Sequence, residues 1–106
     1  MNKVYLLLGS NEGERTVWIR KALAILSESS GTISESSAMY ETAAWGKSDQ
    51  PDFLNMVVLL ETTKSATAIL HDIHEIESTL GRQRTIQWGQ RTLDIDILFY
   101  NNDIIN

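Results

Sequence analysis

Two aspartates near the end of the chain have the spacing of a metal site. In Leu93-Asp94-Ile95-Asp96-Ile97 apolar and acidic residues alternate, so on a β-strand both carboxylates would project from one face. Magnesium prefers oxygen ligands and commonly takes one or two carboxylates together with substrate phosphates. The alternation therefore predicts a metal–phosphate site. An edge strand with its acidic side in water is the alternative interpretation.

An arginine-rich segment leads directly into this strand. It has no acidic residue and holds three of the nine basic residues of the chain, namely Arg82, Arg84 and Arg91. Arginine binds phosphate oxygens through two parallel N–H donors and keeps its charge at any working pH. Trp88 and Gly89 in the same segment are typical of a lid that closes over a phosphate ligand. A solvated basic loop that pairs with surface acids is the alternative.

Composition restricts the class of protein that carries these groups. With 106 residues, 42% apolar and 22% charged, the chain is expected to form a single globular domain over residues 1–106. The net charge of −5 argues against a nucleic-acid partner. No apolar run approaches the roughly 20 residues that cross a bilayer, and the absence of cysteine excludes a disulfide framework. We expect a cytoplasmic protein with no membrane partner.

The apolar pattern predicts the elements that position the site. Continuous or alternating apolar residues predict strands over residues 4–8, 53–63 and 93–100, and β-branched and small residues with one aromatic predict a strand over residues 32–42. Helical spacing predicts helices over residues 14–29 and 66–80, with Ser65 as the N-cap of the second and Gly31 and Gly81 at the two ends. Residues 43–51 are predicted to be a loop. The order βαββαβ predicts an α+β fold of the ferredoxin-like kind, with two helices on one face of an antiparallel sheet.

Three motifs resemble those of one enzyme family, in its order and approximate spacing. They are Leu8-Gly9-Ser10-Asn11, the segment from Asp49 to Asn55 (DQPDFLN), and the segment from Gly81 to Asp96. Together they are similar to the signature of the 6-hydroxymethyl-7,8-dihydropterin pyrophosphokinases. The resemblance implies ATP-dependent transfer of pyrophosphate to the hydroxymethyl group of the pterin, with release of AMP, in folate biosynthesis.

The resemblance also implies roles for residues on the nucleotide side of the site. Asp94 and Asp96 match the aspartates that hold a pair of magnesium ions with ATP, and one of those ions also contacts the pterin hydroxymethyl oxygen. Arg82 and Arg91 match catalytic arginines that contact or steer the triphosphate. The nucleotide-binding positions are matched by His74, Glu77, Arg84, Trp88, Arg91 and Ile97.

On the pterin side, the resemblance implies a pocket with an aromatic wall and one asparagine. Phe53 matches the aromatic residue that stacks on the bicyclic ring, and Asn55 matches the amide that pairs with the edge of the pterin. Asp94 also belongs to this substrate site. The loop that lines the pocket matches Thr42, Ala43, Ala44 and Trp45, with Ala43-Ala44 in place of the proline pair typical of the family.

The family continues beyond the position of Asn106 with a further strand and helix. We therefore expect a folded protein that binds magnesium–nucleotide weakly, turns over little pterin, and self-associates through its C-terminal edge. Two other classes stay open. One is a ferredoxin-like ligand-binding or regulatory module without turnover. The other is an RNA-binding domain of the same topology, which the acidic last strand disfavours.

Overall fold

The computed structural model describes residues 1–43, 51–81 and 93–104, and for Ile104 the description covers the backbone. In this part of the chain, two helices accompany one six-stranded sheet. The elements in chain order are β1 (Asn2–Ser10), α1 (Arg15–Ser29), β2 (Thr32–Ser36), β3 (Tyr40–Thr42), β4 (Phe53–Thr62), α2 (Ala66–Gly81), β5 (Asp94–Tyr100) and β6 (Asp103–Ile104). The predicted α+β class is confirmed.

Strand β1 lies at the centre of the sheet. The strand order is β2-β4-β1-β5-β6, with β3 paired to β4, and every pairing is antiparallel. Strand β1 pairs with β4 along its whole length and with β5 from Val4 to Gly9. Pairing on both edges satisfies its backbone hydrogen-bonding groups, while its side chains alternate between the two faces of the sheet.

Both helices pack on one face of the sheet. Alternate residues of β1, namely Val4, Leu6 and Leu8, are fully buried there against α1 and α2. Each such aliphatic side chain contributes about 1.5–3 kcal/mol by leaving water. The helices bury Ile19, Ala22 and Leu26 on α1 and Ile69, Ile73, Ile76 and Leu80 on α2, as their spacing predicts. Leu70, which the same spacing also placed inward, is exposed.

The opposite face of the sheet, called the open face below, bears Tyr5, Leu7 and Gly9 of β1 and the residues in register with them on β4 and β5. Within the described ranges no helix covers it. The rings of Tyr5 and Phe99 meet edge to face on it, with centroids 6.2 Å apart. None of the helices in the described part of the chain is long and apolar enough to cross a membrane.

The prediction of one strand over residues 32–42 was wrong. The segment forms β2 and β3, and the register with β4 shifts between Ile33 and Glu35. Ser37 then takes over the pairing, since its N–H donates to the carbonyl of Val57 at 2.8 Å and its Oγ accepts the N–H of Val57 at 2.9 Å. Because the Ser37 side chain takes the place of a backbone acceptor, the regular backbone hydrogen bonding between β2 and β4 ends here.

Strand β6 was not predicted as a strand. It returns along β5 through a turn at Asn101, whose φ of 55° is a left-handed conformation that asparagine tolerates. The turn is fixed to the start of β1, because the N–H of Asn101 donates to the carbonyl of Lys3 at 2.6 Å.

A polar network closes the end of the sheet away from the predicted site. The carbonyl of Lys64 accepts from Asn2 Nδ2 at 3.1 Å and from Tyr100 OH at 2.7 Å. Lys64 Nζ and Ser30 Oγ each lie 2.7 Å from Asp72 Oδ2. Burial raises the pKa of Asp72, but these two hydrogen bonds and the lysine charge outweigh it and hold the pKa below its ordinary value.

Candidate active site

Three neighbouring strands bring predicted site residues into one row on the open face. Gly9 of β1 is in register with Asn55 of β4 on one side and with Asp94 of β5 on the other. Residues directly opposite each other in an antiparallel sheet share a face. Because neighbouring strands are about 4.8 Å apart, Asn55 and Asp94 lie on the order of 10 Å apart across Gly9. The row joins the predicted pterin and metal sites.

The two aspartates of β5 share a face, as the alternation predicts. Asp94 is half-buried and Asp96 is exposed, whereas Ile95 and Ile97 are buried in the core. The predicted nucleotide contact Ile97 is therefore separated from the carboxylates by the thickness of the sheet, and its side chain faces the helices. Its role in nucleotide binding stays a prediction.

Glu77 contacts the strand between the two aspartates. From α2 its Oε2 accepts the N–H of Ile95 at 2.8 Å, at the edge of β5 that faces away from β1. Burial raises the pKa of Glu77, and the negative charges of Asp94 and Asp96 raise it further, against the opposing effects of the Ile95 N–H and of His74. Glu77 thus holds the strand segment between the two aspartates, while His74 is exposed on the same helix.

The donor set suits magnesium in the presence of a phosphate ligand. Among the described residues no group of three histidine, cysteine, aspartate or glutamate side chains is arranged to hold a metal ion. The pair therefore offers two carboxylates, and the remaining ligands would come from phosphate and water. This is how magnesium is commonly bound where it meets nucleotide phosphates.

On the other side of Gly9, Asn55 is held against β3. Its Nδ2 donates to Thr42 Oγ1 at 2.8 Å and, more weakly, to the carbonyl of Tyr40 at 3.5 Å. Asn55 is buried, Phe53 is half-buried, and the exposed Thr42 is in register with Phe53. The three predicted pterin residues are thus close together at the end of β4.

Gly9 is the floor between the two halves of the row. A Cβ at this position would lie 3.1 Å from Asn55 Oδ1 and 3.7 Å from the ring carbon Cδ1 of Phe53. A side chain at position 9 would require Asn55 Oδ1 to shift by a few tenths of an ångström, whereas its contact with Phe53 would be an ordinary one. The motif Leu8-Gly9-Ser10-Asn11 pointed to this segment without assigning a role to Gly9.

Two residues to which the sequence assigned no role, Arg15 and Asn11, anchor both flanks of residues 44–50. Arg15 donates from Nη1 to the carbonyl of Asp52 and from Nη2 to Glu41 Oε2, both at 2.8 Å. Asn11 Nδ2 donates to the carbonyl of Pro51 at 3.2 Å. A signal was present, because a cation at the first position of a helix opposes the helix dipole and calls for a specific partner.

Several predicted site residues lie outside the described ranges. These are Ala44, Trp45, Arg82, Arg84, Trp88 and Arg91, so their roles stay predictions. Ala43, at the edge of the described part, is exposed. Among the described residues, one groove of about 260 Å³ lies beside Tyr5 and Val57, and one of about 190 Å³ lies between α1 and α2.

The motifs and this arrangement agree with comparisons to known proteins. Residues 5–105 match the family model of 7,8-dihydro-6-hydroxymethylpterin-pyrophosphokinase (HPPK). The chain belongs to this family. It is 41% identical over 105 residues to the 2-amino-4-hydroxy-6-hydroxymethyldihydropteridine pyrophosphokinase of Bacillus subtilis (strain 168), a match that covers 98% of this chain and 63% of the relative.

Two further HPPK relatives show the same extent of similarity. The pyrophosphokinase of Aquifex aeolicus (strain VF5) is 41% identical over 105 residues, which cover 99% of this chain and 65% of the relative. That of Haemophilus influenzae (strain ATCC 51907) is 40% identical over 106 residues, with 99% and 66% covered. The chain therefore spans just under two thirds of the length of these HPPK relatives.

The raised pKa of Glu77 gives a first testable prediction about this HPPK chain. Glu77→Gln keeps an acceptor for the Ile95 N–H but removes the charge beside Asp94 and Asp96. The unfolding free energy at neutral pH should therefore rise by a few tenths of a kcal/mol, after discounting for solvent screening. A carboxyl whose folded pKa is raised costs stability above that pKa and costs none below its ordinary value of 4.5.

Urea unfolding at neutral pH and below pH 4.5 measures this difference. The extra stability of Glu77→Gln should vanish in acid, because the wild-type Glu77 carboxyl is protonated there and is then also uncharged. Glu75→Gln, which removes an exposed carboxylate two positions away on the same helix, is the matched control. A glutamine variant less stable than wild type at neutral pH would show that the charge of Glu77 supports the strand.

Proposed function

We propose that this chain carries the pyrophosphoryl-transfer site of an HPPK. ATP would donate its β- and γ-phosphates as one group to the hydroxymethyl group of 6-hydroxymethyl-7,8-dihydropterin, in folate biosynthesis. The hydroxymethyl oxygen bonds to the β-phosphorus, the bond from that phosphorus to the bridging oxygen of AMP breaks, and the hydroxyl proton leaves to solvent. The observation that carries the proposal is the row Asn55–Gly9–Asp94, in which an amide for the pterin and a carboxylate for the metal share one face.

In this proposal Asp94 and Asp96 hold magnesium, with two ions bound when ATP is present. Bound magnesium would neutralise phosphate charge and orient the β-phosphoryl group for in-line attack. Asp94 is the member of the pair in register with Gly9, so it stands nearer to the pterin half of the row. Asp96 lies one pleat further along β5 and is the more exposed of the two.

The remaining predicted residues complete the nucleotide side. We assign Arg82 and Arg91 to the catalytic site and His74, Glu77, Arg84, Trp88, Arg91 and Ile97 to nucleotide binding. The hydrogen bond from Ile95 to Glu77 supports a place for Glu77 beside the metal carboxylates. No general base is required of the described side chains, since positioning and electrostatics supply most of the rate in phosphoryl-type transfer.

On the pterin side we assign Thr42, Ala43, Ala44, Trp45, Phe53, Asn55 and Asp94. A half-buried phenylalanine beside a buried asparagine suits a flat heterocycle whose edge carries donors and acceptors. Gly9 joins this set, because its missing side chain leaves room against Asn55 and Phe53.

We further propose a ferredoxin-like assignment for the core of a single domain over residues 1–106. The order β2-β4-β1-β5 of its four long strands supports it, with β3 and β6 as additions. A cytoplasmic location and self-association through the edge next to β6 are also proposed. Sedimentation over a concentration series tests the self-association.

Product analysis tests the function. With the protein in excess over 6-hydroxymethyl-7,8-dihydropterin, so that a single turnover is visible, magnesium and ATP should yield AMP and pterin diphosphate in equal amounts. Omission of pterin or addition of a chelator should remove both products. Formation of ADP would indicate transfer of a single phosphoryl group. Binding of both substrates without any product would assign the chain to a ligand-binding module.

A further inference from the structure

The side-chain amide of Asn55 has a defined orientation in the ligand-free protein. A carbonyl oxygen can only accept, so the neighbouring carbonyl of Tyr40, 3.5 Å from Nδ2, requires the NH₂ end of the amide on the side of β3. Thr42 Oγ1 accepts from the same Nδ2 at 2.8 Å. The oxygen end, Oδ1, consequently lies over Gly9, 3.1 Å from the position that a Cβ would occupy.

A rotation of the amide by half a turn would be costly. It would place Oδ1 against the carbonyl of Tyr40, where two acceptors repel and neither is satisfied. The Thr42 hydroxyl alone could serve either orientation, since it donates as well as accepts. Strand β3 therefore determines the orientation by two contacts together: Tyr40 excludes one end of the amide and Thr42 holds the other in place.

We propose that Thr42 is a positioning residue, which acts on the ligand through Asn55 by keeping the amide oxygen directed toward the row. The site then presents an acceptor at this point, and it selects a heterocycle that offers an amino donor there. The inference rests on the proposed function for the identity of the ligand. In this role Thr42 contributes to specificity without having to contact the ring of the ligand.

The exposure of the two residues supports this division of roles. Asn55 is 8% exposed, so its polar ends are sensitive to what each one meets, whereas Thr42 lies on the exposed strand β3. A buried amide that loses a partner bears most of the desolvation cost itself. Removal of the Thr42 hydroxyl should therefore act mainly through Asn55.

The amide resonances of Asn55 test the proposal without any ligand. In Thr42→Val, which keeps the shape but cannot accept, the proton of the Asn55 NH₂ group that faces Thr42 should move upfield and exchange faster with water. Thr42→Ser should restore the wild-type position. Thr32→Val, which removes an exposed strand threonine at the far end of β2, is the matched control. An unchanged Asn55 NH₂ signal in Thr42→Val would overturn the positioning role.

Ligand choice is the second measurement, with pterin and lumazine as probes. Lumazine carries a carbonyl where pterin carries an amino donor. Thr42→Val should weaken pterin binding roughly 10-fold, the effect of about one hydrogen bond, and lumazine binding much less. Equal weakening of both probes would mean that Thr42 acts by shape or direct contact and would overturn the inference. Failure of the wild-type protein to bind either probe would instead contradict the proposed function, while the amide signals still decide the positioning.

Discussion

Replacing Asp96 with alanine should weaken the magnesium-dependent binding of α,β-methylene-ATP by at least about 100-fold. Loss of residues that merely support metal ligands already costs roughly 10–100-fold in metal affinity, so loss of a proposed ligand should cost more. Asp94 and Asp96, two carboxylates two residues apart on one face of β5, are the proposed ligands. Calorimetric titration with magnesium and with chelator measures the effect.

Asp103→Ala is the matched control for this variant. It removes the same charge from an exposed position on β6, beyond the turn at Asn101. Nucleotide affinity of this control should stay close to wild type in magnesium. An Asp96→Ala variant that keeps the wild-type magnesium dependence would remove the metal assignment from this strand.

Replacing Gly31 with alanine should lower the free energy of unfolding by about 3 kcal/mol or more. A Cβ at this position would lie 2.2 Å from the carbonyl oxygen of Glu61 and 3.1 Å from its carbonyl carbon. Both are backbone atoms of β4, so no side-chain rotation relieves the contact. Overpacking of a well-packed interior typically costs 1–3 kcal/mol, and here the end of α1 must move away from the sheet.

Gly81→Ala is the control for this prediction, because it makes the same chemical change without the contact. Apart from its chain neighbours and the backbone of α2 itself, no atom of the described residues lies within 4 Å of a Cβ built at Gly81, the last residue of α2. This variant should be neutral or more stable by up to about 1 kcal/mol, since alanine restricts the unfolded chain. Urea unfolding of both variants measures the difference. Equal losses of stability in Gly31→Ala and Gly81→Ala would contradict the close approach of Gly31 to β4.

Periodicity predicted the parts of the fold that depend on local pattern. The alternation of Leu93 to Ile97 placed both aspartates on one face before any partner strand was known, and burial of Ile95 and Ile97 bears this out. Ser65 was predicted as an N-cap from its type and position, and its Oγ accepts the N–H of Ala68 at 3.2 Å. Such features can be predicted because they depend only on residues that are close in the sequence.

What could not be predicted depends on contacts between distant segments. The row of Asn55, Gly9 and Asp94 requires the register of three strands, and no local pattern fixes which residue of β1 meets which residue of β4 or β5. Gly31 was predicted as a residue that ends a helix. That only glycine fits there follows from a tertiary contact, its close approach to the backbone of Glu61. The hydrogen bonds of Arg15 to Glu41 and Asp52 are of the same kind.

The central claim is that both substrates meet on the open face, along the row from Asn55 through Gly9 to Asp94 and Asp96. Backbone amide shifts of the ¹⁵N-labelled protein, recorded with pterin, magnesium and α,β-methylene-ATP, test it most directly. We expect the largest changes at Gly9, Asn55 and residues 94–96, with little change on the outer side of the helices. Changes centred instead on the groove between α1 and α2, lined by Ile25, Ser29, Asp72, Glu75, Ile76 and Thr79, would contradict the account.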